Sequence, residues 1–458
     1  MLRSRSIAVG LLLSLKVVSA SADDVTSQPL INSDENYRWS VHGQAVQFVQ
    51  GYPRFPALYD GQNSLPSYGE ARFTSMNNLF VGVKLWEGAE VFANPALQSG
   101  YGIGGTSNGA AGYPNGIVGQ GASTPYVELQ RLYFKQTINL GGDYVYDPKT
   151  GARSQVLAST ENQLRGKVSK DRIVFTVGKF NVGDIFNDNI YAHDPTQGFI
   201  NLSFNSIGSF NYAQDQWGYT WGAAAEFKKG NNIFRAGVFE LPQYPGAMNF
   251  DRQIFNQWGA VMEFEHRYEI LGQRGSLKLL AYENWGKYAV LDQLLAYENF
   301  NGNSPPAQSD LRTRTNKMGV GFNWQQQIIP NLGMFVRAGM SDGRIETIAN
   351  TDIDRSWAMG FVAAGQAWNR PFDEFGIAGS INAINGPQIR FLSAGGTGLN
   401  IGDGALNYGP EKDLEAYYKL GFNKNLDVTF DYQRLMNPGY NKDRGPVNVF
   451  GIRLNAHF

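Results

Sequence analysis

The chain is 458 residues long, has no cysteine, and balances 39 Lys and Arg against 40 Asp and Glu for a net charge of −1. That composition removes disulfide frameworks and thiolate metal sites, and it offers no basic face for nucleic acid. A mean hydropathy of −0.32 with no long apolar run beyond the N-terminus excludes a helical membrane bundle, but not a membrane β-barrel, whose strands are only half apolar.

The N-terminus reads as an address. Arg3 and Arg5 precede the short apolar run IAVGLLLSL, and VVSASA closes with small residues at alternate positions, so residues 1–22 are expected to be a signal peptide cleaved after Ala22. The run is interrupted by Lys16 and falls short of the roughly 20 apolar residues a spanning helix needs. Its removal leaves 36 basic against 40 acidic residues on one expected domain, 23–458. With 54 Gly, 23 Tyr, 29 Phe and 9 Trp but only 19 Pro, that domain is rich in tight turns and amphipathic aromatics.

Period-two alternation then recurs along the chain. In LFVGVKLW, Leu79, Val81, Val83 and Leu85 oppose Gly82 and Lys84; in NKMGVGFNW, Met318, Val320, Phe322 and Trp324 oppose Lys317, Gly319, Gly321 and Asn323. LGMFVRAGM, LEAYYKLGF and LDVTFDYQRL repeat the pattern, and the closing VFGIRLNAHF sets Phe450, Ile452, Leu454, Ala456 and Phe458 against Arg453, Asn455 and His457. One face is apolar and the other charged, amide-bearing or glycine, as lipid on one side and a water-filled lumen on the other require. Short turns in KKGNN, IIPNLG and FNKNL interleave with long Gly/Asn/Pro-rich stretches at 51–70, 95–124, 287–311 and 387–411. The fold class is therefore all-β, a transmembrane antiparallel β-barrel. Seventeen segments qualify as strands, an odd number; sixteen strands are expected, with eighteen as the alternative. Residues 181–216 are the hardest to thread as strands; an in-folded loop is one reading, and the sequence leaves open whether the segment lies inside or outside the pore.

Chemistry is sparse. His42, His193, His266 and His457 are scattered, with no metal-ligand spacing, and no cofactor is expected. GYGIGGTSNG lacks the strand, helix and Gly-Lys-Ser/Thr of a phosphate loop. Trp39, Trp258, Trp285, Trp324, Trp357 and Trp368 fall near segment ends, where amphipathic rings prefer the membrane interface. Trp217, Tyr219 and Trp221 in DQWGYTWG line up on one face and read as a row of rings for sugars or for lipid. Ionisable groups are costly at membrane depth unless they face water, which makes Lys84, Glu90, Arg131, Lys135, Arg165, Arg337, Arg390 and Arg453 lumen candidates. Their mixed signs suit a neutral polyhydroxy solute.

Specific stretches go further. LFVGVKLWEGAEVFANP, SNGAAGYPNG, VELQRLYFKQTINLGG, VGKFNVGDIFNDNIYAHDPTQGFINLSF, GSFNYAQDQWGYTWGAAAEF, GFVAAGQAWNRPFDEFGIAGSINAI, LNIGDGALNYGPEKDLEAYYKLGF and DYQRLMNPGYNKDRGPVNVFGIRLNAHF resemble the carbohydrate-selective porins of the OprB family over nearly all of the mature chain. The resemblance implies sixteen strands in the outer membrane of a Gram-negative bacterium and passive diffusion of monosaccharides such as glucose through a narrowed pore, with no covalent chemistry. It nominates Lys84, where relatives often carry Arg, together with Glu90, Arg131 and, from the NDNIYAHD stretch, Asp188, Asn189, Tyr191, His193 and Asp194. With Lys135 and Trp217 these form the expected pore eyelet. FINL at 199–202 and Lys84 depart from the family pattern, a point charge replacing a planar fork at position 84.

The expected partners are outer-membrane lipid, small neutral sugars and, through the terminal Phe458, the barrel-assembly machinery; a homotrimer is a common porin habit that no motif here encodes. Rival readings are a porin for anions or aromatic acids and an acyl hydrolase on a barrel. The last needs a nucleophile and a base on one face, and His266 shares the lipid-facing parity of Trp258, Ala260, Met262 and Phe264.

Overall fold

The computed structural model describes all residues except 1–37, 107–108, 118–120, 143–144, 148–152, 155, 252, 254–255, 298–304 and 350, so the expected signal peptide lies outside the described residues. Among the described residues, sixteen antiparallel strands close into one barrel. In chain order they are β1 Trp39–Tyr52, β2 Glu70–Trp86, β3 Ala89–Gly100, β4 Ala122–Gly141, β5 Asp171–Phe180, β6 Thr220–Lys229, β7 Asn232–Glu240 and β8 Trp258–Ile270. They continue as β9 Gln273–Tyr288, β10 Thr313–Ile329, β11 Leu332–Ser341, β12 Arg355–Ala364, β13 Glu374–Ala383, β14 Glu411–Asn423, β15 Leu426–Met436 and β16 Val447–His457. Each pairs with its sequence neighbours, and β16 pairs with β1 from Gln44↔His457 to Gly51↔Phe450. Closure leaves no sheet edge, so the strand backbone satisfies itself in lipid. No described helix is long and apolar enough to cross a membrane; the strands do the crossing.

The alternation sorts as lipid outside and polar inside. Met318, Val320, Phe430, Phe450 and Ile452 are exposed on the outer surface, while Lys317, Asn323, Asp431, Arg453 and Asn455 are buried within. The rings that end the strands pair at the membrane interface: Trp258 faces Trp285 across β8 and β9, Trp324 Nε1 donates to Tyr268 Oη at 2.5 Å, and Trp368 Nε1 to Tyr418 Oη at 3.2 Å.

One rim is built of short connections. Glu87–Gly88, Gly230–Asn231, Leu271–Gly272, Pro330–Asn331 and Lys424–Asn425 each join adjacent strands. Leu271 and Gly272 both have positive φ, 51° and 77°, the conformation of a two-residue hairpin turn matched to strand twist. The opposite rim carries the long loops, with short helices at Leu291–Leu295 (α2) and Gly386–Ser393 (α3), and the loop after β5 carries a single helical turn at Leu202–Asn205 (α1). The short-turn rim breaks its own rule at residues 142–170 between β4 and β5, which include a small ladder of Val145–Tyr146 with Arg153–Ser154.

Several sequence expectations shift here. Residues 181–216 lie inside the barrel. Arg390 is not on a wall: it sits on α3 in an outer loop, paired with Asp292 at 2.7 Å, because GPQIRFLS starts with proline at a helix N-terminus and winds up rather than extending. Trp217, Tyr219 and Trp221 do not form one row. β6 begins only at Thr220, so Trp221 points outward into lipid while the other two rings belong to the preceding turn and face inward.

Candidate pore constriction

The inward segment, residues 181–219, is pinned to most of the barrel wall. Its backbone or side chains bond Glu263 on β8, Lys278 and Tyr282 on β9, Asn323 and Gln325 on β10, Arg337 on β11 and Ser356 on β12. The pinning continues with Asn382 on β13, Asp413 and Glu415 on β14, Gln433 on β15, Arg453 on β16 and Gln44 on β1. Arg453 Nη1 donates to the carbonyls of Pro195 and Gly198 at 2.5 and 2.9 Å, Arg337 donates to those of Phe204 and Asn187, and the Glu415 carboxylate accepts from the N–H of Ile200 and Asn201 at 2.5 and 2.9 Å. A loop with no sheet partner must satisfy its backbone with side chains when buried, and this wall supplies them.

Arg337 and Arg453 are thus lumen-side, as their parity predicts, but dry, at 1% and 0% exposure. Most of the expected water-filled wall is instead the seat of the loop. Phe199 and Phe204 complete the contact by packing with Phe335 and Tyr417.

What stays open lies along β2–β4. There the side chains of Glu90, Arg131 and Lys135 keep 19%, 15% and 18% exposure, and Arg131 faces Asp184 of the segment at 24%. Arg131 is the centre of this gap. Its Nε and Nη2 donate to the Asp184 carboxylate at 2.8 and 2.7 Å, a bidentate pair, and its Nη1 donates to Asn94 Oδ1 at 2.9 Å.

From Arg131 a chain of donors runs around the wall. Asn94 Nδ2 donates to Asn78 Oδ1 at 3.4 Å, Asn78 Nδ2 to Gln44 Oε1 at 3.2 Å, Gln44 Nε2 to Thr196 Oγ1 at 2.8 Å, and Thr196 Oγ1 to Asp194 at 2.7 Å. Such a chain polarises in one sense and fixes every member's orientation. It ties the expected residues Arg131 and Asp194 together through four amides and hydroxyls.

The other side of the gap is aromatic. The Asp215 carboxylate accepts the N–H of Trp217 and of Tyr219, both at 3.0 Å, folding a tight turn through Gly218 at φ 99°, where a Cβ would be strained. That turn places Trp217 parallel to Tyr126, ring centroids 6.2 Å apart, and Tyr219 beneath the Arg131 guanidinium at 5.2 Å. Lys179 completes the group, 3.5 Å from Glu128, 3.6 Å from Asp215 and 5.5 Å from the Trp217 ring. Burial pushes the Asp215 carboxyl above its usual range, opposed by the two backbone N–H groups and by Lys179.

The expected eyelet residues therefore divide. Arg131 and Trp217 lie at the gap, whereas Asp188 and His193 pair with each other at 3.8 Å where Lys278 of β9 and Asn323 of β10 bond the Asp188 carbonyl. Lys84, Glu90 and Lys135 form a row across β2–β4 nearer the short-turn rim: Lys84 is cross-strand from Glu90, which pairs with Lys135 at 2.7 Å, and Lys135 lies 4.6 Å over the Phe92 ring. Asn189 is buried and spent on Asn323 at 2.7 Å, Asp194 caps its own turn, and Tyr191 packs against Gly333, where a Cβ would lie 1.9 Å from the ring. Sequence reasoning missed Asn94, Glu128, Lys179, Asp184 and Asp215. The NVGD capping box formed by Asn181 and Asp184 was the one local signal for Asp184. Among the described residues no group of three His, Asp or Glu is placed to hold a metal ion.

Comparisons with known proteins agree with this architecture. The chain is similar to the structure of Pseudomonas putida OprB at high pH, with a TM-score of 0.67 at 17% identity, covering 92% of this chain and 95% of that one. It is 22% identical to the porin AaxA of Chlamydia abortus over 69% of its length, and 22% identical to porin AaxA of Chlamydia pneumoniae over 62%. It spans 59% and 55% of the length of these two curated relatives. The model of the carbohydrate-selective porin family matches residues 63–458. The fold and the family are those of outer-membrane channels, and the chain belongs to the OprB family of carbohydrate-selective porins.

Proposed function

We propose that the protein lets glucose-sized neutral sugars diffuse passively across the outer membrane of a Gram-negative bacterium, having reached it through the 1–22 leader and been assembled with the help of its terminal Phe458. The observation that carries this reading is the pairing of an oriented guanidinium–carboxylate couple, Arg131 with Asp184, with the Trp217 and Tyr219 rings beside it. Guanidinium N–H groups and carboxylate oxygens replace the water around hydroxyls, while the rings accept the apolar C–H face of a pyranose. Each cation at the gap and in the neighbouring row is paired, Arg131 with Asp184, Lys179 with both Glu128 and Asp215, Lys135 with Glu90, and the four carboxylates outnumber the three cations, so the passage offers no excess positive charge to draw in an anion.

The test is planar-bilayer recording of the purified protein with glucose added. Sugar occupying the gap interrupts the ion current, and Arg131→Met weakens that block roughly 10- to 100-fold, the loss of about 1.5–3 kcal/mol from hydrogen bonds to a charged group. Current that glucose never interrupts ends the sugar reading; block by organic anions but not by sugars favours the anion-channel alternative.

A further inference from the structure

The break in the short-turn rim has a defined shape. Within 142–170, Leu157 and Gly166 exchange backbone hydrogen bonds at 2.8 and 3.3 Å, and Thr160 and Gln163 do the same at 2.9 and 3.3 Å, making a small hairpin with Glu161 and Asn162 at its tip. The hairpin does not hang outside the barrel. Leu164 is buried among Phe92 and Tyr133 of the inner wall, and its Cδ2 lies 3.1 Å from where a Cβ on the inward-facing Gly82 would stand. Asn162 Oδ1 accepts from Tyr133 Oη and its carbonyl from Lys135 Nζ, both at 3.3 Å; Ser159 Oγ lies 2.9 Å from His42 Nε2 on β1.

Gly82, Phe92, Tyr133, Lys135 and His42 all belong to the inner faces of β1–β4, the sector that carries Arg131 and that the inward segment meets through Gln44 and Arg131. The hairpin therefore stands on the same sector as the Arg131 gap, on its short-turn side, in the path of a solute leaving that gap. Glycine at 82 leaves room for both Phe92 and Leu164, whose nearest atoms would lie 2.8 and 3.1 Å from a Cβ there.

We propose that residues 157–166 form a second, exit-side size filter in series with the Arg131 gap, setting an upper limit on solute size independently of the hydroxyl contacts above it. This rests on the channel reading above. The exposed Glu161 at the tip, the Asn162 amide and the neighbouring Glu90–Lys135 pair give that filter a polar lining, and Leu164 is its apolar anchor.

Because Leu157 and Gly166 already face each other across the ladder, residues 158–165 can be replaced by Asn-Gly without moving either end. Two comparable narrowings in series lose about half their resistance when one is removed, so this variant should show about twofold higher single-channel conductance and faster liposome swelling in disaccharide, with glucose block retained. Conductance and disaccharide swelling equal to the parent overturn the filter; absence of channels from the parent itself refutes the porin reading instead. Glu161→Cys provides a check that leaves the hairpin intact, since the chain has no other cysteine. A charged methanethiosulfonate reagent added on the short-turn side lowers its conductance in a single step, and an unchanged current after complete labelling overturns the proposal.

Discussion

Arg453 gives the sharpest test of whether the inward segment is held by the wall. Its side chain is fully buried, with Nη1 on the carbonyls of Pro195 and Gly198 and Nη2 on Thr429 Oγ1 at 3.0 Å. Arg453→Met keeps most of the volume but strands two segment carbonyls, each costing about 1–3 kcal/mol if no new donor arrives. The seated arrangement then loses about 2–6 kcal/mol against displaced ones, which at the low end multiplies the displaced population about 30-fold. Single-channel recording at constant voltage reads this directly, as new excursions to higher conductance and a rise in mean current, with the barrel's resistance to SDS at room temperature preserved because β16 keeps its ladder to β1. A quiet trace at the parent's conductance would refute the reasoning, since it would mean that the passage is limited elsewhere.

Further outcomes follow from other contacts. Gly333→Val drives a methyl into the Tyr191 ring and, at the 1–3 kcal/mol typical of overpacking, should lower the thermal midpoint for loss of the folded band on unheated gels, more than Gly379→Val, whose nearest neighbour is 3.7 Å away. Ile452→Lys places a charge on the lipid face in the middle of β16 and should cost about 2–4 kcal/mol in reversible unfolding from lipid, whereas Ile452→Leu should be silent. Burial holds the Asp352 carboxyl of the 342–354 loop above its usual range, so the packed loop binds a proton more readily than the unpacked one. Its packing is then strongest at acid pH and weakens as pH rises through that raised value; limited proteolysis of the loop should be slower at acid than at alkaline pH, and Asp352→Asn should reduce the difference, with Glu346 and Asp354 of the same loop, also raised by burial, keeping the rest. Faster cleavage at the acid value would contradict the sign.

Much of the barrel was legible in the sequence because period two is a local signal. Val81 against Gly82, Phe430 against Asp431 and Ile452 against Arg453 each show on their own which side is lipid, and the tight turns at Gly230 and Lys424 mark one rim. The C-terminal strand also read correctly as the partner of the first, and Phe458 locks that seam through reciprocal backbone bonds with Gly43 at 2.9 and 3.0 Å. The inward segment was not legible, because its partners are far away in sequence: Asn201 meets Gln433, Ser203 meets Asp413, and Arg453 meets Pro195. For the same reason parity found Arg337 and Arg453 on the inner face but not that the loop would cover them. The start of β6 at Thr220 separated Trp221 from Trp217 and Tyr219 of the preceding turn, turning one apparent row of rings into a lipid contact and an inward pair. The hairpin at 157–166 offered only Leu157, Ala158 and Leu164 as apolar residues, with no period-two pattern to mark a buried anchor.

The central claim is passage of monosaccharides through the Arg131 gap, and liposome swelling measures it most directly. Proteoliposomes of the purified parent should swell rapidly in glucose and other hexoses, much more slowly in disaccharides, and more slowly in gluconate than in glucose. Equal rates for hexoses and gluconate, or no swelling above protein-free liposomes, would contradict it.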